Sequence, residues 1–204
     1  MTHPAGSPPF WLDRWATNQI GFHEGVPNRF LTQFWTHRGT TLVPLCGKSA
    51  DLEWLAAQGP VVGVDLSAIA CAAFFAERNL TPTITTAPPF TRYEHGATTL
   101  LEGDIFGFAG RVDAIWDRAA LIALPPALRS RYAALLLSFH VPILLVSFVY
   151  DGARRDGPPF SVSDDEVRAL FPGATVLHRE PVDEVRWNEV GGAAQVVWAI
   201  PPKS

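Results

Sequence analysis

The stretch Thr41–Ser67, TLVPLCGKSADLEWLAAQGPVVGVDLS, decides the fold. An apolar burst from Thr41 to Leu45 stops at Cys46-Gly47. Ser49 stands where a helix cap belongs, and Asp51 and Glu53 suit the positive end of the helix dipole. Leu52, Leu55 and Ala56 share one face until Gly59 ends the helix. A second apolar run, Val61 to Leu66, carries Asp65 near its end, and Ser67 is placed to cap a further helix. Both strands are apolar on each face. Such strands belong to a mostly parallel sheet covered by helices on both sides, so the fold class is α/β.

Outward from that core the alternation continues. Downstream lie a helix containing Ala70 and Phe74 that ends near Asn79, then strand-like runs at Thr83–Thr86, Thr98–Leu101 and Val112–Trp116. A helix follows Pro126, with Leu128, Tyr132, Leu135 and Leu136 at helical spacing, and Ile143–Val149 is a continuous apolar strand. Ser163 and Glu166 have capping-box spacing ahead of a helix that stops at Pro172-Gly173, and Thr175–Leu177 and Val196–Ile200 complete the strands. Upstream, a short helix spans about Asn28–Thr36. Residues 1–9, with three Pro and one Gly, are expected to be disordered, and 10–204 to form a single domain.

Composition narrows the function. The chain has 204 residues, 48% of them apolar, enough for a sizeable core. Sixteen basic against twenty acidic residues give a net charge of −4, which argues against binding nucleic acid, where phosphates demand an excess of Lys and Arg. Cys46 and Cys71 have no paired spacing and no Cys/His cluster accompanies them, so neither a disulfide framework nor a metal site is expected, in keeping with a cytoplasmic location. Met1–Phe10 lacks the features of a signal peptide, and the longest apolar run, Val141–Tyr150, is strand-sized, so no membrane association is expected. Seven Trp and thirteen Phe against three Tyr are a surplus of flat apolar surface, for core or for a flat ligand.

In a doubly wound sheet ligands bind beyond the carboxyl ends of the strands. The residues that matter there are Leu45–Lys48, Asp65, Asp104–Phe106 and Asp117-Arg118. Gly47-Lys48-Ser49 resembles the end of a phosphate-binding loop, but that motif also needs a Gly five residues before Gly47, where Leu42 stands. The G-x-G-x-x-G fingerprint is absent too. Asp65, eighteen residues after Gly47, is placed to accept both hydroxyl protons of a ribose; the competing role is a helix cap, for which Ser67 is the rival. Gly103-Asp104-Ile105-Phe106 offers an acid, backbone N–H groups and apolar faces for an adenine, or an ordinary turn. Arg118 carries a fork suited to a carboxylate or a developing anion, or to a surface ion pair. His23 and His95 are the histidines placed nearest these loops, and no nucleophile elbow is present.

Six segments taken together resemble one family. WLDRWATNQIGFHEG (11–25), LVPLCGKSADLEWLAAQGPVVGVDLS (42–67), FFAERNL (74–80), GDIF (103–106), WDRAALIALPPALRSRYA (116–133) and GPPFSVSDDEV (157–167) look like the thiopurine S-methyltransferases, in order and at compatible spacing over about residues 10–172. The resemblance implies a Rossmann-like class I methyltransferase fold with a seven-stranded, mostly parallel sheet whose last strand is antiparallel. It implies S-adenosyl-L-methionine as cofactor, leaving as S-adenosyl-L-homocysteine, and a small-molecule thiol or chalcogen acceptor: thiopurines, aromatic thiols or related selenium and tellurium compounds. Residues 10–38 would be a lid segment. Trp11 and Trp15 would cover the cofactor, Leu45 line its methionine side through the backbone, Asp65 hold the ribose and Ile105 contact the adenine. Arg118 would lie beside both cofactor and acceptor, and Phe22 and Arg186 would touch the acceptor.

Three departures stand out. Asp65 replaces the usual Glu and is one methylene shorter, the turn His140-Val141-Pro142 is short, and VRWNEVGGAAQVVW around Arg186 differs from the family pattern. A monomer is the default expectation. Two other functions compete: a non-catalytic S-adenosylmethionine-binding module, and a nucleoside-cofactor oxidoreductase, against which the missing glycine fingerprint speaks. Methyl transfer to a soft sulfur needs positioning and desolvation more than a strong base, which is consistent with the absence of a catalytic triad.

Overall fold

The computed structural model describes residues 3–21 and 23–203. The chain packs as two compact units, one of His3 and Pro8–Trp116, the other of Pro4–Ser7 and residues 117–203.

The first unit is built on strands β1 (Thr41–Pro44), β2 (Val61–Asp65), β3 (Thr83–Ala87), β4 (Phe90–His95), β5 (Thr98–Glu102) and β6 (Ala114–Arg118, to Trp116 in this unit). Their order is β3-β4-β5-β2-β1-β6. β1 pairs parallel with β2 from Thr41↔Val61 to Pro44↔Val64, and with β6 at Thr41↔Ala114. β2 pairs parallel with β5 from Val61↔Thr98. The chain therefore runs from β1 to one side through β2 and β5, then returns to the other side with β6, which makes the carboxyl end of β1 the switch point of this sheet. Every residue of β1 is buried, as are all but Val62 in β2. That is the two-sided burial expected of central parallel strands. Gly63 belongs to this core because a Cβ there would lie 2.6 Å from both Cys46 Sγ and Leu100 Cδ2.

The helices of this unit are α1 (Pro8–Ala16), α2 (Arg29–Phe34), α3 (Asp51–Ala56) and α4 (Ala68–Ala76). α3 and α4 each pack on β2 and β5, and α1 packs on α4. Ser67 caps α4 as expected, its Oγ accepting from Ala70 N at 3.2 Å. Ser49 differs from expectation: α3 starts two residues later, and Ser49 Oγ accepts from Asp51 N at 3.1 Å in a turn ahead of it. Asp51, read as a first-turn partner of the helix dipole, is buried. Its Oδ1 accepts from Asn28 N at 2.6 Å and its Oδ2 from Trp116 Nε1 at 2.8 Å, so one carboxylate joins the start of α2, α3 and β6.

The second unit carries α5 (Pro126–Leu137), α6 (Asp164–Leu170) and strands β7 (Ile143–Tyr150), β8 (Thr175–Pro181) and β9 (Ala193–Ile200) in the order β7-β9-β8. Both pairings are antiparallel, with Ile143↔Ile200 and Thr175↔Ala199 in register. Ser163 Oγ accepts from Glu166 N at 3.2 Å, which caps α6. The reciprocal half of the capping box is replaced: the Glu166 carboxylate takes Arg129 Nη1 at 2.8 and 2.9 Å instead. Arg129 is 2% exposed, and a guanidinium so deeply buried requires a paired anion.

Nine strands stand among the described residues, against the seven expected, and the pairings are mixed rather than mostly parallel. The difference lies in residues 83–95, where β3 and β4 pair antiparallel from Thr83↔Glu94 to Ala87↔Phe90 and β4 continues antiparallel onto β5. β3 is exposed throughout, and β4 buries only Tyr93. Edge strands of this kind lack the continuous apolar signal by which the inner strands are recognised.

Candidate active site

The chain leaves β1 through two left-handed residues, Leu45 at φ 48° and Gly47 at φ 51°. A leucine in that region is held against its preference, and such positions cluster where a loop has a ligand to bind. Gly47 N donates to Asp65 Oδ2 at 2.7 Å and Ser67 N donates to Asp65 Oδ1 at 2.9 Å. One carboxylate thus fastens the loop after β1 to the loop after β2. Asp65 is 9% exposed. Burial raises its carboxyl above the usual range, and the two amide bonds oppose that rise. Each oxygen keeps a further lone pair for a hydroxyl donor.

Trp15 is buried against this loop: a Cβ at Gly47 would lie 2.9 Å from Trp15 Cζ2. The glycine is required both by its φ and by the indole. Trp11 stands one helical turn before Trp15 on the same face of α1, edge-on to Phe10 at 5.2 Å between centroids. Gly103 N donates to Asp65 O at 2.9 Å, which brings the loop after β5 to the end of β2. There Asp104 caps a short 3-10 turn by accepting from Phe106 N at 3.0 Å, and Ile105 is 5% exposed within it. The first unit therefore gathers Trp15, Leu45, Asp65 and Ile105 around adjoining loops at the carboxyl ends of β1, β2 and β5.

Two neighbours have other roles. Lys48 is nearly buried and donates to Glu77 Oε1, so the lysine of Gly47-Lys48-Ser49 is held in an ion pair within the fold. That hydrogen bond is the main reason the Glu77 carboxyl lies below its usual range. The Cys46 thiol is pushed well up by burial and further by the Asp65 charge, so it remains a thiol. His95 Nδ1 donates to the Thr81 carbonyl at 3.0 Å, an ordinary structural bond.

In the second unit, Asp117 is fully buried, accepting from Tyr132 Oη at 2.8 Å and Leu121 N at 3.2 Å. Burial pushes its carboxyl up to about 6 against those bonds. Arg118 follows it, half-buried, and Ala119 after that is left-handed at φ 69°. Arg186 is exposed, paired with Glu184 at 2.6 Å and lying 5.4 Å from the Trp187 ring centroid. Phe22 lies outside the described residues. Sequence reasoning did not single out Gly47 or Ala119 for their backbone, nor Asp51 and Asp117 as buried anchors. The local signal for Gly47 was its place directly after an apolar strand; the anchors depend on partners 65 and 15 residues away.

An acid at the end of β2, a glycine loop after β1 and an aromatic residue over that loop suit a nucleoside with a charged, flexible substituent. Two solved structures share the architecture. Burkholderia thailandensis 1,6-didemethyltoxoflavin-N1-methyltransferase, solved with 1,6-didemethyltoxoflavin and S-adenosylhomocysteine, superposes with a TM-score of 0.67 at 15% identity over 98% of this chain and 88% of that one. A SAM-dependent methyltransferase from Anabaena variabilis ATCC 29413 gives 0.62 at 12% identity over 98% and 100%. The fold is that of the Rossmann-like class I methyltransferases.

At the level of sequence, the family model described as thiopurine S-methyltransferase (TPMT) matches residues 7–198. Thiopurine S-methyltransferase of Aliivibrio salmonicida (strain LFI1238) is 46% identical, covering 85% of this chain and 88% of the relative. That of Photobacterium profundum is 43% identical, covering 94% and 97%. The chain belongs to the thiopurine S-methyltransferase family and is a methyltransferase dependent on S-adenosylmethionine. No helix among the described residues is long and apolar enough to cross a membrane.

Proposed function

We propose that this enzyme methylates the sulfur of thiopurines or other aromatic thiols, and related selenium or tellurium compounds, acting as a monomer in the cytoplasm without a nucleic-acid partner. The family relationship along nearly the whole chain carries this reading.

S-adenosylmethionine supplies an electrophilic methyl group on a sulfonium sulfur. The residues present fit such a molecule: the buried Asp65 carboxylate, which takes Gly47 N on one oxygen and Ser67 N on the other, keeps acceptor capacity on both for a pair of hydroxyls. In this reading Asp65 holds the ribose hydroxyls, the Leu45 backbone lines the methionine side and Ile105 packs on the adenine. Trp15, with Trp11, covers the site and excludes water, and an indole face also favours a nearby cation. Arg118 bridges cofactor and acceptor and holds the acceptor sulfur in its thiolate form by charge. With the cofactor bound, the acceptor would give its proton to solvent and stand as a thiolate beside Arg118, and the bound cofactor would supply the methyl group to it. Phe22 and Arg186 contact the acceptor.

The test combines calorimetric titration of S-adenosylmethionine and S-adenosylhomocysteine with a methyl-transfer assay on aromatic thiols, thiopurines, selenite and tellurite. Thioether product from an aromatic thiol is the expected result. Cofactor binding with no turnover of any acceptor would instead identify a binding module.

A further inference from the structure

Resting on the reading of Ile105 as the adenine contact, we propose that Phe90, at the tip of the β3–β4 hairpin, is a positioning residue for the cofactor: its ring holds the loop after β5 in the place where that loop seats the adenine.

The hairpin contributes little to the core. All five residues of β3 are exposed, and so is the turn Pro88-Pro89. β4 carries two aromatic side chains, Phe90 and Tyr93, which project to opposite faces because side chains alternate along a strand. Tyr93 is buried, and its Oη donates to Glu102 Oε2 at 3.1 Å. Phe90 has a different neighbour. The last pair of the β4–β5 ladder is Thr91↔Glu102, so the next residues along, Phe90 and Gly103, stand opposite each other where β5 gives way to its loop.

Phe90 lies directly against that loop. A Cβ on Gly103 would stand 2.7 Å from Phe90 Cε1 and 3.0 Å from the Pro89 carbonyl oxygen, and one on Gly107 would stand 3.4 Å from Pro89 Cγ and 3.7 Å from Phe90 Cζ. Gly103 is not left-handed, so glycine stands there for the space the ring takes up and not for a backbone angle. An aromatic ring laid across a strand pair onto a glycine restrains the residue type with the most conformational freedom. The hairpin tip thus covers both glycines that bound the segment Asp104–Phe106.

That segment is where the cofactor reading places the adenine. Gly103 N donates at 2.9 Å to the carbonyl of Asp65, whose carboxylate is the ribose acceptor in the same reading, and Ile105 beyond it is 5% exposed. The bonds inside the segment are local: Asp104 Oδ1 accepts from Phe106 N at 3.0 Å, and Gly107 N and Phe108 N donate to the carbonyls of Asp104 and Ile105 at 2.9 and 3.0 Å. Such bonds shape the turn without fixing where it stands. The Gly103–Asp65 bond ties it to β2, and the Phe90 ring backs it from the hairpin.

The experiment measures, by calorimetric titration and competition, the affinities of S-adenosylhomocysteine and of S-ribosylhomocysteine, which carries a hydroxyl in place of the adenine. The proteins are the wild type, Phe90→Ala, Phe90→Leu, Tyr93→Phe and Ile105→Ala. The advantage of the adenosyl ligand is expected to fall fivefold or more in Phe90→Ala and in Ile105→Ala, and by less in Phe90→Leu. Tyr93→Phe, which alters the other face of the same hairpin, leaves it within twofold of wild type. A smaller fall in Phe90→Ala, equal weakening of both ligands, or an equal fall in Tyr93→Phe overturns the proposal. If Phe90→Ala does not fold, Phe90→Leu decides: a fall of twofold or more upholds the proposal and a smaller one overturns it. An advantage unchanged in Ile105→Ala overturns the adenine reading and the proposal with it, whereas a fall in Ile105→Ala without one in Phe90→Ala overturns the proposal alone.

Discussion

Asp65 and Asp117 invite comparison. Each stands at or near the carboxyl end of an apolar strand, one in each unit, and burial raises the carboxyl of both. Their partners differ. Asp65 takes two backbone amides, Gly47 N and Ser67 N, from two loops, and keeps 9% of its surface open. Asp117 takes a hydroxyl from Tyr132 of α5 and the amide of Leu121, and is fully enclosed. The first carboxylate fastens one loop to another; the second ties a helix to a strand. Two acids of the same chemistry at corresponding ends of strands thus differ in what they accept, and the proposed reading gives Asp65 the binding role and Asp117 the scaffolding one.

The largest expected effect falls on the scaffold. Asp117→Ala strands two buried donors and opens a cavity, and should cost about 4 kcal/mol of stability in denaturant unfolding. Affinity for S-adenosylhomocysteine should stay within about threefold. A loss of affinity exceeding the loss of stability would break the comparison.

The second effect is in pH. Asp117 titrates near 3.8 when unfolded and near 6 when folded. The folded state keeps the proton longer, so this residue favours folding below about pH 4, and that advantage disappears as pH rises to 6. The swing is about 3 kcal/mol. Asp117→Asn should flatten the stability curve between pH 4 and 6 relative to wild type; an unchanged slope would place the charge elsewhere.

Asp65→Ala should show the reverse balance to Asp117→Ala. Calorimetry is expected to give affinity for S-adenosylhomocysteine about a hundredfold weaker, roughly 2.7 kcal/mol, because the ribose acceptor and the tie to Gly47 go together. Retained affinity would remove Asp65 from the site. Asp65→Glu, the usual family residue, should bind at least as well as wild type.

The smallest effect concerns the residue after Asp117. Arg118→Ala should lower kcat/KM by tenfold or more, about 1.4 kcal/mol, with unfolding free energy little changed. Full activity would sink its role in transfer.

The contrast also marks how far the residues could be read alone. The α/β alternation and Asp65 were legible in one stretch of twenty-seven residues, because apolar runs and caps are local signals. Of the hairpin at 83–95 only the first strand was, as the β-prone run Thr83–Thr86; the second, Phe90–His95, was not, since an edge strand needs no apolar run. Asp51 looked like a first-turn partner of the helix dipole and proved a buried anchor of Asn28 and Trp116. Glu166 looked like half a capping box and proved to be the counter-ion of Arg129. In each case the partner is remote in the chain, and no spacing rule reports it.

By itself the sequence determined the α/β class, the family and the chemical character of the loops, for those follow from residue type and short-range order. Only the tertiary structure decided which charges are matched. It paired Lys48 with Glu77, Arg186 with Glu184 and Arg129 with Glu166. Charge pairing acts over a few ångströms through space, so it is set by how the chain packs and not by the distance along it.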